Sequence, residues 1–487
     1  MKKRRKTLSL LLAVSLALGS FGSAPSWSAS LGNVQAAEPE KDASPILETC
    51  GAEGDNITWE LVEDPDGAVF PEQGPDSQPL CYELILTGTG ELSGNKPWEY
   101  ACSSITSVTI SEGITAIGDY GLSGLYNVTS ITLPDSVAFI GAYAFQENHS
   151  LETVVCGSGL VKIGDYAFDS LPSLTAVTLN EGLTEIGSFA FRKCEKMGQI
   201  SLPESLVTIG ESAFERTSLS SITIPGNVEV IGHGAFQQSK LNSVQLNEGL
   251  KEIGAWAFSF CSNISAISLP ESLTAIGDSA FWGTSLSSIT IPSNVEKIGS
   301  SPFPYLFLET IRVASGNQHF LIDSNILYEI AENGSPKRAI VYAVSNTASS
   351  VEILEWTETI DAYVFYAAKN LHSAILPESL VSIHENAFGS SGLSELHLPN
   401  SLTEIGDYAF SCCQNIQEVT IPNNVSILGE EAFAYCPALT AVTIGKSVPT
   451  LTDIFPESPN ITDITVSQEN PYLESLENVV YSKDHTK

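Results

Sequence analysis

The sequence predicts an α/β repeat solenoid, built from coils that each hold one short parallel β-strand and one short helical or 3-10 turn. Three observations predict it. First, Ile405-Gly406-Asp407-Tyr408-Ala409-Phe410 has relatives along the chain, among them Ile163-Gly164-Asp165-Tyr166-Ala167-Phe168 and Ile276-Gly277-Asp278-Ser279-Ala280-Phe281. Their first residues fall at 117, 140, 163, 186, 209, 231, 253, 276 and 298, then at 360, 383, 405 and 428. That is 13 copies at a step of 22 or 23, and a worn fourteenth copy is placed at Leu451. Second, apolar residues alternate ahead of each copy. Third, chain-turning residues follow each alternation.

Within one coil, Leu174, Val177 and Leu179 open a short stretch of period two, which reads as a strand. Leu183, Ile186, Ala190 and Phe191 supply the remaining apolar positions. Two residues after the Ile stands an Asp or Ser in many copies (Asp119, Asp165, Ser188, Asp278, Asp407). Such side chains accept hydrogen bonds from free N–H groups at a helix start, so the segment beyond is expected to be a helical turn with Ala-Phe on its inner side. No coil can bury its Phe alone. Stacking sets Phe on Phe, each worth about 1.5–3 kcal/mol, and 14 coils at strand spacing span about 65 Å.

The repeat L-x-x-V-x-L-x-x-[N/S/G], with Ser136, Gly182, Ser205, Asn227, Ser272, Asn294 and Asn424 at its last position, matches the leucine-rich repeat. The 22–23 step, the Leu202-Pro203, Ile224-Pro225 and Ile421-Pro422 pairs and the Ile-Gly-x-x-Ala-Phe-x-x-Cys tail are more particular. Over about 105–466 the chain resembles the BspA-like leucine-rich repeat proteins of bacterial surfaces. The resemblance implies an extracellular, non-enzymatic role in binding or adhesion, without naming the ligand.

From the N-terminus, Lys2 to Lys6 form a basic start and Leu8 to Phe21 an apolar run, with small residues around Ala36 and Ala37. Residues 1–37 therefore read as a secretory signal peptide; the run is short for a membrane anchor. The chain holds 22 Lys and Arg against 57 Asp and Glu. Removing the five basic and no acidic residues of 1–37 leaves a formal charge of −40. So acidic a surface repels phosphate backbones and anionic lipid, which excludes nucleic acid and direct membrane insertion as expected partners. Residues 38–49 read as a linker and 50–103 as an N-terminal β cap, needed because a solenoid end exposes its interior. Trp59 and Trp98 are expected in the cap core rather than as a sugar platform.

Cys194, Cys261, Cys413 and Cys436 lie eight residues after a repeat Ile, where other coils hold Thr217, Ser239, Thr284 and Ser391. That equivalence marks core filler, not nucleophiles. Cys413 and Cys436 sit one coil apart, near disulfide reach. A Cys50–Cys81 bridge closing the cap suits an exported protein, although the total of nine cysteines is odd. No C-x-x-C occurs, and no metal or cofactor is expected.

Residues 104–311 and 351–466 read as repeats. Residues 312–350 interrupt them: Asn325 to Ile330, a turn at Asn333-Gly334 and Arg338 to Tyr342 are expected as a β-hairpin island thrown out from the stack. Val466 to Tyr481 repeats Val313 to Tyr328, with Asn470 and Asn478 matching Asn317 and Asn325, so 467–487 reads as a second, truncated island.

For function, the strand positions flanking the inward Val or Ile form a ladder of small hydroxyls: Ser130/Thr132, Ala176/Thr178, Ser221/Thr223, Ser288/Thr290. One patch differs. Glu395 and His397, then Glu418 and Thr420 on the next coil, with Asp463 two coils on, are the candidate binding patch, as cation site or acid and base. The bland reading is a solvated face. No catalytic residues are expected, since no nucleophile–base pair can be drawn. The expected partner is a host or neighbouring-cell extracellular protein or glycan. The alternatives are a targeting or spacer arm for a domain beyond Lys487, and a plain stalk.

Overall fold

The computed structural model describes residues 50–52, 56–64, 81–303, 308–343, 348–451 and 453–483, all within one compact unit, 45–487. The export-signal and linker readings fall on 1–37 and 38–49, outside the described residues.

The described chain is a parallel β-solenoid. Each coil contributes to three ladders that run along the stack. In the first, a two-residue strand ends on the repeat Ile: Lys162–Ile163, Glu185–Ile186, Thr208–Ile209 and their relatives pair in parallel, Ile163 beside Ile186 beside Ile209. Nine strands that end on the repeat Ile, from Ile114–Ile117 to Lys297–Ile298, join Gly90–Leu92 in one ten-stranded sheet. The second ladder holds the alternating stretch, as in Ser130–Thr132, Thr153–Val155 and Ala176–Thr178. Its central Ile131, Val154 and Val177 are buried, and the residues on either side face outwards. This sheet is broken into pieces of two or three strands.

The third ladder corrects an expectation. The segment after the repeat Ile is not helical; among the described residues the helix is confined to the 3-10 turn Glu99–Ala101, ahead of the first repeat. The reason lies in the backbone. Residues three and seven after the Ile have positive φ in coil after coil: Tyr166 at 58° and Ser170 at 58°, Phe189 at 60° and Lys193 at 59°. A left-handed residue cannot continue a right-handed helix. The N–H groups instead point along the stack: Tyr166, Phe168 and Ser170 donate to the carbonyls of Ser188, Ala190 and Arg192 one coil on. The Asp two residues after the Ile does accept a backbone N–H, but from the next coil: Ser188 N reaches Asp165 Oδ1 at 2.7 Å, and Glu430 N reaches Asp407 Oδ1 at 2.8 Å. It caps between coils, not within one. Most coils thus have two strands where one was expected, and a turn where a helix was.

The Gly after the Ile is demanded by this closeness. A Cβ on Gly187 would stand 2.6 Å from Asp165 Oδ1 and 2.7 Å from the Asp165 N and Gly164 C atoms. Gly187→Ala is therefore expected to destabilise the protein by about 1–3 kcal/mol, read as a lower urea midpoint.

The predicted Phe column is present. Phe145, Phe168, Phe191, Phe214, Phe236, Phe258, Phe281 and Phe303 stack with ring centroids 4.6–5.9 Å apart and near-parallel planes. A second column runs Phe365, Phe388, Phe410, Phe433, Phe455. In the worn copy Ile454 and Phe455 continue the Ala and Phe positions of the coil before it.

Ahead of the repeats, Ile57–Glu63 pairs antiparallel with Tyr82–Gly88, which pairs in parallel with Ile105–Ile110. Trp59 and Trp98 are buried there, 6.0 Å apart, which is the core placement expected of them.

The first island is not thrown out from the stack. Phe320–Asp323, Ile326–Ile330 and Pro336–Tyr342 form an antiparallel sheet whose last strand pairs in parallel with Thr359–Ile360. Leu327, Ile340 and Val341 pack into the interior of the preceding coils, while Ile326, Tyr328, Ala339 and Tyr342 pack into the interior of the following ones. The island is a septum between two cores. In the second island the matching residues do the same work: Asn317 Nδ2 donates to Pro292 O and Val295 O, Asn470 Nδ2 to Gly445 O and Val448 O.

Candidate functional site

Glu395, His397, Glu418, Thr420 and Asp463 are all exposed and all lie on the face of the broken sheet. Glu418–Thr420, Ala441–Ile444 and Asp463–Val466 form one piece of it, with Glu418, Ala441 and Asp463 in register. Glu395 lies at an interruption, joined to Ser373 by a single parallel bridge. A groove of about 350 Å³ opens there, lined by Ser373, Ile375, Glu378, Glu395 and His397 among others. The structure thus gathers Glu395 and His397 with Glu378, which the sequence did not single out, and leaves Glu418 and Thr420 outside the groove lining. Among the described residues no three His, Cys, Asp or Glu side chains converge as a metal site would require.

The cysteines eight after the repeat Ile behave as filler. Cys194, Cys261, Cys413 and Cys436 are buried, and each thiol donates to the carbonyl of a Phe in the preceding coil (Phe168, Phe236, Phe388, Phe410) at 3.0–3.3 Å. Burial pushes the thiols of Cys194, Cys413 and Cys436 up to about 12 and that of Cys261 to about 11, far from the thiolate needed for attack. Cys413 and Cys436 are free thiols. Cys50 and Cys81 are both buried but not brought together. Cys50 N donates to Ile57 O at one end of the cap ladder, while Cys81 precedes Tyr82, which stands opposite Glu63 at the other end. The ends of a seven-residue strand are about 20 Å apart, beyond disulfide reach.

The strongest electrostatic cluster was not singled out from the sequence. Asp361, 1% exposed in its side chain, accepts from Arg338 Nη1 at 3.1 Å, from Ser300 Oγ at 2.9 and 3.0 Å, and faces His384 Nδ1 at 3.2 Å. Arg338 also bonds Glu329 at 2.7 Å and the Ile298 carbonyl at 2.6 Å. The cluster ties the last coil before the island, the island strand and the two coils after it. Asp361 and His384 occupy the position that is Gly in the other copies. The loss of that Gly in the two copies that follow the interruption is the signal that marks the junction.

The Asp361 carboxylate raises the His384 pKa above its ordinary 6.5; Glu404 adds to this, while partial burial and Arg338 oppose it. A raised folded-state value means that protonated His384 stabilises the fold fully below about pH 6.5, and that this contribution is lost as pH rises through the higher value. His384→Gln is expected to flatten the pH dependence of the thermal midpoint across that window.

Among the described residues no helix is long and apolar enough to cross a membrane. No curated protein matches the sequence. The structure is similar to that of a leucine rich cell surface protein from Faecalibacterium prausnitzii A2-165, at 25% identity over 87% of this chain and 96% of that one, with a TM-score of 0.50. It is also similar to a leucine-rich repeat protein from Bacteroides ovatus (24% identity, 70% and 92% covered, TM-score 0.41) and to the pneumococcal vaccine antigen PcpA (19%, 88% and 89%, TM-score 0.46). The profile of the BspA type leucine rich repeat region matches residues 98–217, 207–327 and 345–481. Since those matches span well over half of the 487 residues, and the stacked coils fill the same stretch, the chain belongs to the BspA-type leucine-rich repeat family.

Proposed function

We propose that the protein is exported to the bacterial surface and binds a macromolecule, an extracellular protein or glycan of a host or neighbouring cell, without chemistry of its own. The observation that carries this reading is the broken sheet's outward face. There Ser, Thr, Glu and His side chains repeat at strand spacing on a scaffold that the Phe columns and inter-coil hydrogen bonds hold rigid. Rigid repetition lets weak contacts add, and little ordering cost is left for binding. The similarity to a cell surface protein supports the location, as does the reading of residues 1–37 as an export signal. The strongly acidic composition argues against nucleic acid as the partner.

The test is binding of the purified chain to panels of extracellular-matrix proteins and glycans, repeated with a Glu395→Ala/Glu418→Ala variant. A specific partner whose affinity drops at least about tenfold in the variant, the scale of one lost hot spot, supports the reading. Absence of any specific partner, or a partner indifferent to the variant, refutes it and favours a stalk.

A further inference from the structure

A second aromatic column runs along the outside of the coils. Tyr120, Tyr143, Tyr166 and Phe189 occupy the left-handed position three residues after the Ile in four successive coils. Their rings stack at 5.2, 4.7 and 4.7 Å with planes within 14° of parallel. Unlike the Phe column this one meets solvent: Tyr120 is 44% exposed and the other three are partly exposed. The fold does not require it. The same position holds Ser212, Gly234, Ser279 and Ser301 in coils that close the same turn with the same positive φ. Placing bulky aromatic residues at positive φ is unfavourable relative to Gly or Asn, yet four consecutive coils do so.

The chain itself shows what such a surface accepts. Arg192 lays its guanidinium 4.9 Å from the Phe189 centroid and 5.4 Å from that of Tyr166. Asp169 holds it there in a two-pronged pair, Nε to Oδ1 at 2.8 Å and Nη2 to Oδ2 at 3.0 Å. Further up the column the position equivalent to Arg192 carries Gln146, which brings no cation to Tyr143, and Ser123, whose Oγ accepts from the Lys96 ammonium at 2.6 Å. The exposed carboxylates Asp119 and Asp165 directly precede Tyr120 and Tyr166 in the chain, each accepting a backbone N–H of the next coil through Oδ1, and the exposed Glu147 accepts from the Tyr126 hydroxyl; the whole chain carries a net charge of −35.

We propose that the Tyr120–Tyr143 end of this column docks arginine side chains of a basic partner segment, each guanidinium lying on the rings and pairing with a flanking carboxylate as Arg192 does with Asp169. Arginine is favoured over lysine because a planar fork can stack and pair at once, whereas an ammonium is a strongly hydrated point charge. This surface is distinct from the sheet face that holds Glu395 and Glu418, so either can fail without the other.

The experiment measures binding of a nine-arginine peptide and a nine-lysine peptide to the full chain at 0.15 M salt, for the wild type and for Tyr120→Ser/Tyr143→Ser. Serine is the residue that other coils carry there. An unchanged thermal midpoint in the Tyr143→Ser single variant, also measured, guards against a folding artefact. The expected result is about fivefold tighter binding of the arginine peptide by the wild type, with the two peptides equal on the double variant. Equal affinity of both peptides for the wild type, or an arginine preference that survives in the double variant, overturns the proposal. So does self-association in sedimentation that vanishes in the double variant, which would make a second copy the occupant.

Discussion

Phe214→Ala should lower the free energy of unfolding by about 3–5 kcal/mol, the largest loss expected from any single truncation in the repeats. Phe214 is 0% exposed and its ring lies 5.3 Å from both Phe191 and Phe236. Removing it strips contacts from two neighbours and leaves a void between coils that the tight backbone ladders keep from collapsing. A repeat array is held by nearest-neighbour interfaces, so the damage is expected to be local. Hydrogen exchange should show lost protection at Ala190, Ala213 and Ala235 while Ala409 and Ala432 keep theirs. Urea titration gives the magnitude. Phe260→Ala is the contrast: that ring is 43% exposed, and its loss should shift stability by no more than about 0.5 kcal/mol. A Phe214→Ala loss no greater than that of Phe260→Ala would show that the stacked interior is not what holds the coils.

The second large effect lies at the septum. Arg338→Met keeps the aliphatic volume but strands the Asp361 carboxylate, which is almost wholly buried, with Ser300 and a half-buried His384 as its remaining side-chain partners. Breaking one side of a buried pair in this way is expected to cost about 3 kcal/mol or more. Adding Asp361→Asn removes the stranded charge, so the double variant should be less destabilised than the sum of the two single variants. Strict additivity, measured by denaturant titration of all four proteins, would show that the two side chains do not act as a pair. The single Arg338→Met variant should also lose stability faster as pH rises, because His384 is then the remaining cation beside Asp361 and it discharges.

Much of this architecture was legible because it is written many times over. The 22–23 step, the buried Ile and Val of the face strands and the Phe column need only counting, and Asn317 and Asn470 announced two equivalent elements. The helical turn was misread for a definite reason. An Asp two residues after the Ile satisfies free N–H groups either in its own coil or in the next, and its identity does not distinguish them. The left-handed residues that decide the matter are Tyr, Phe, Ser and Trp in most coils, not the Gly or Asn that would have flagged a positive φ. The island was misplaced because a hairpin signal says nothing of what covers its faces. Yet Ile326-Leu327-Tyr328 is an unbroken apolar run, the mark of a strand buried on both sides. As for the candidate site, the sheet face and the exposure of Glu395 and His397 followed from alternation. The groove did not, since it arises where the ladder is interrupted. Nor did the stacked tyrosines outside, which share their position with serines.

Near-identical coils raise a counting problem. A folding chain that threads coil n onto coil n+2 keeps most of its Ile-on-Ile and Phe-on-Phe matches, so the interior alone discriminates poorly against a slip of one whole period. The septum removes that ambiguity. Arg338 can satisfy Asp361, Glu329 and the Ile298 carbonyl together in one alignment only, and any slipped alignment seals a charge in a dry space. The island thereby serves as an index mark for the array, a zero point from which coils on either side are numbered.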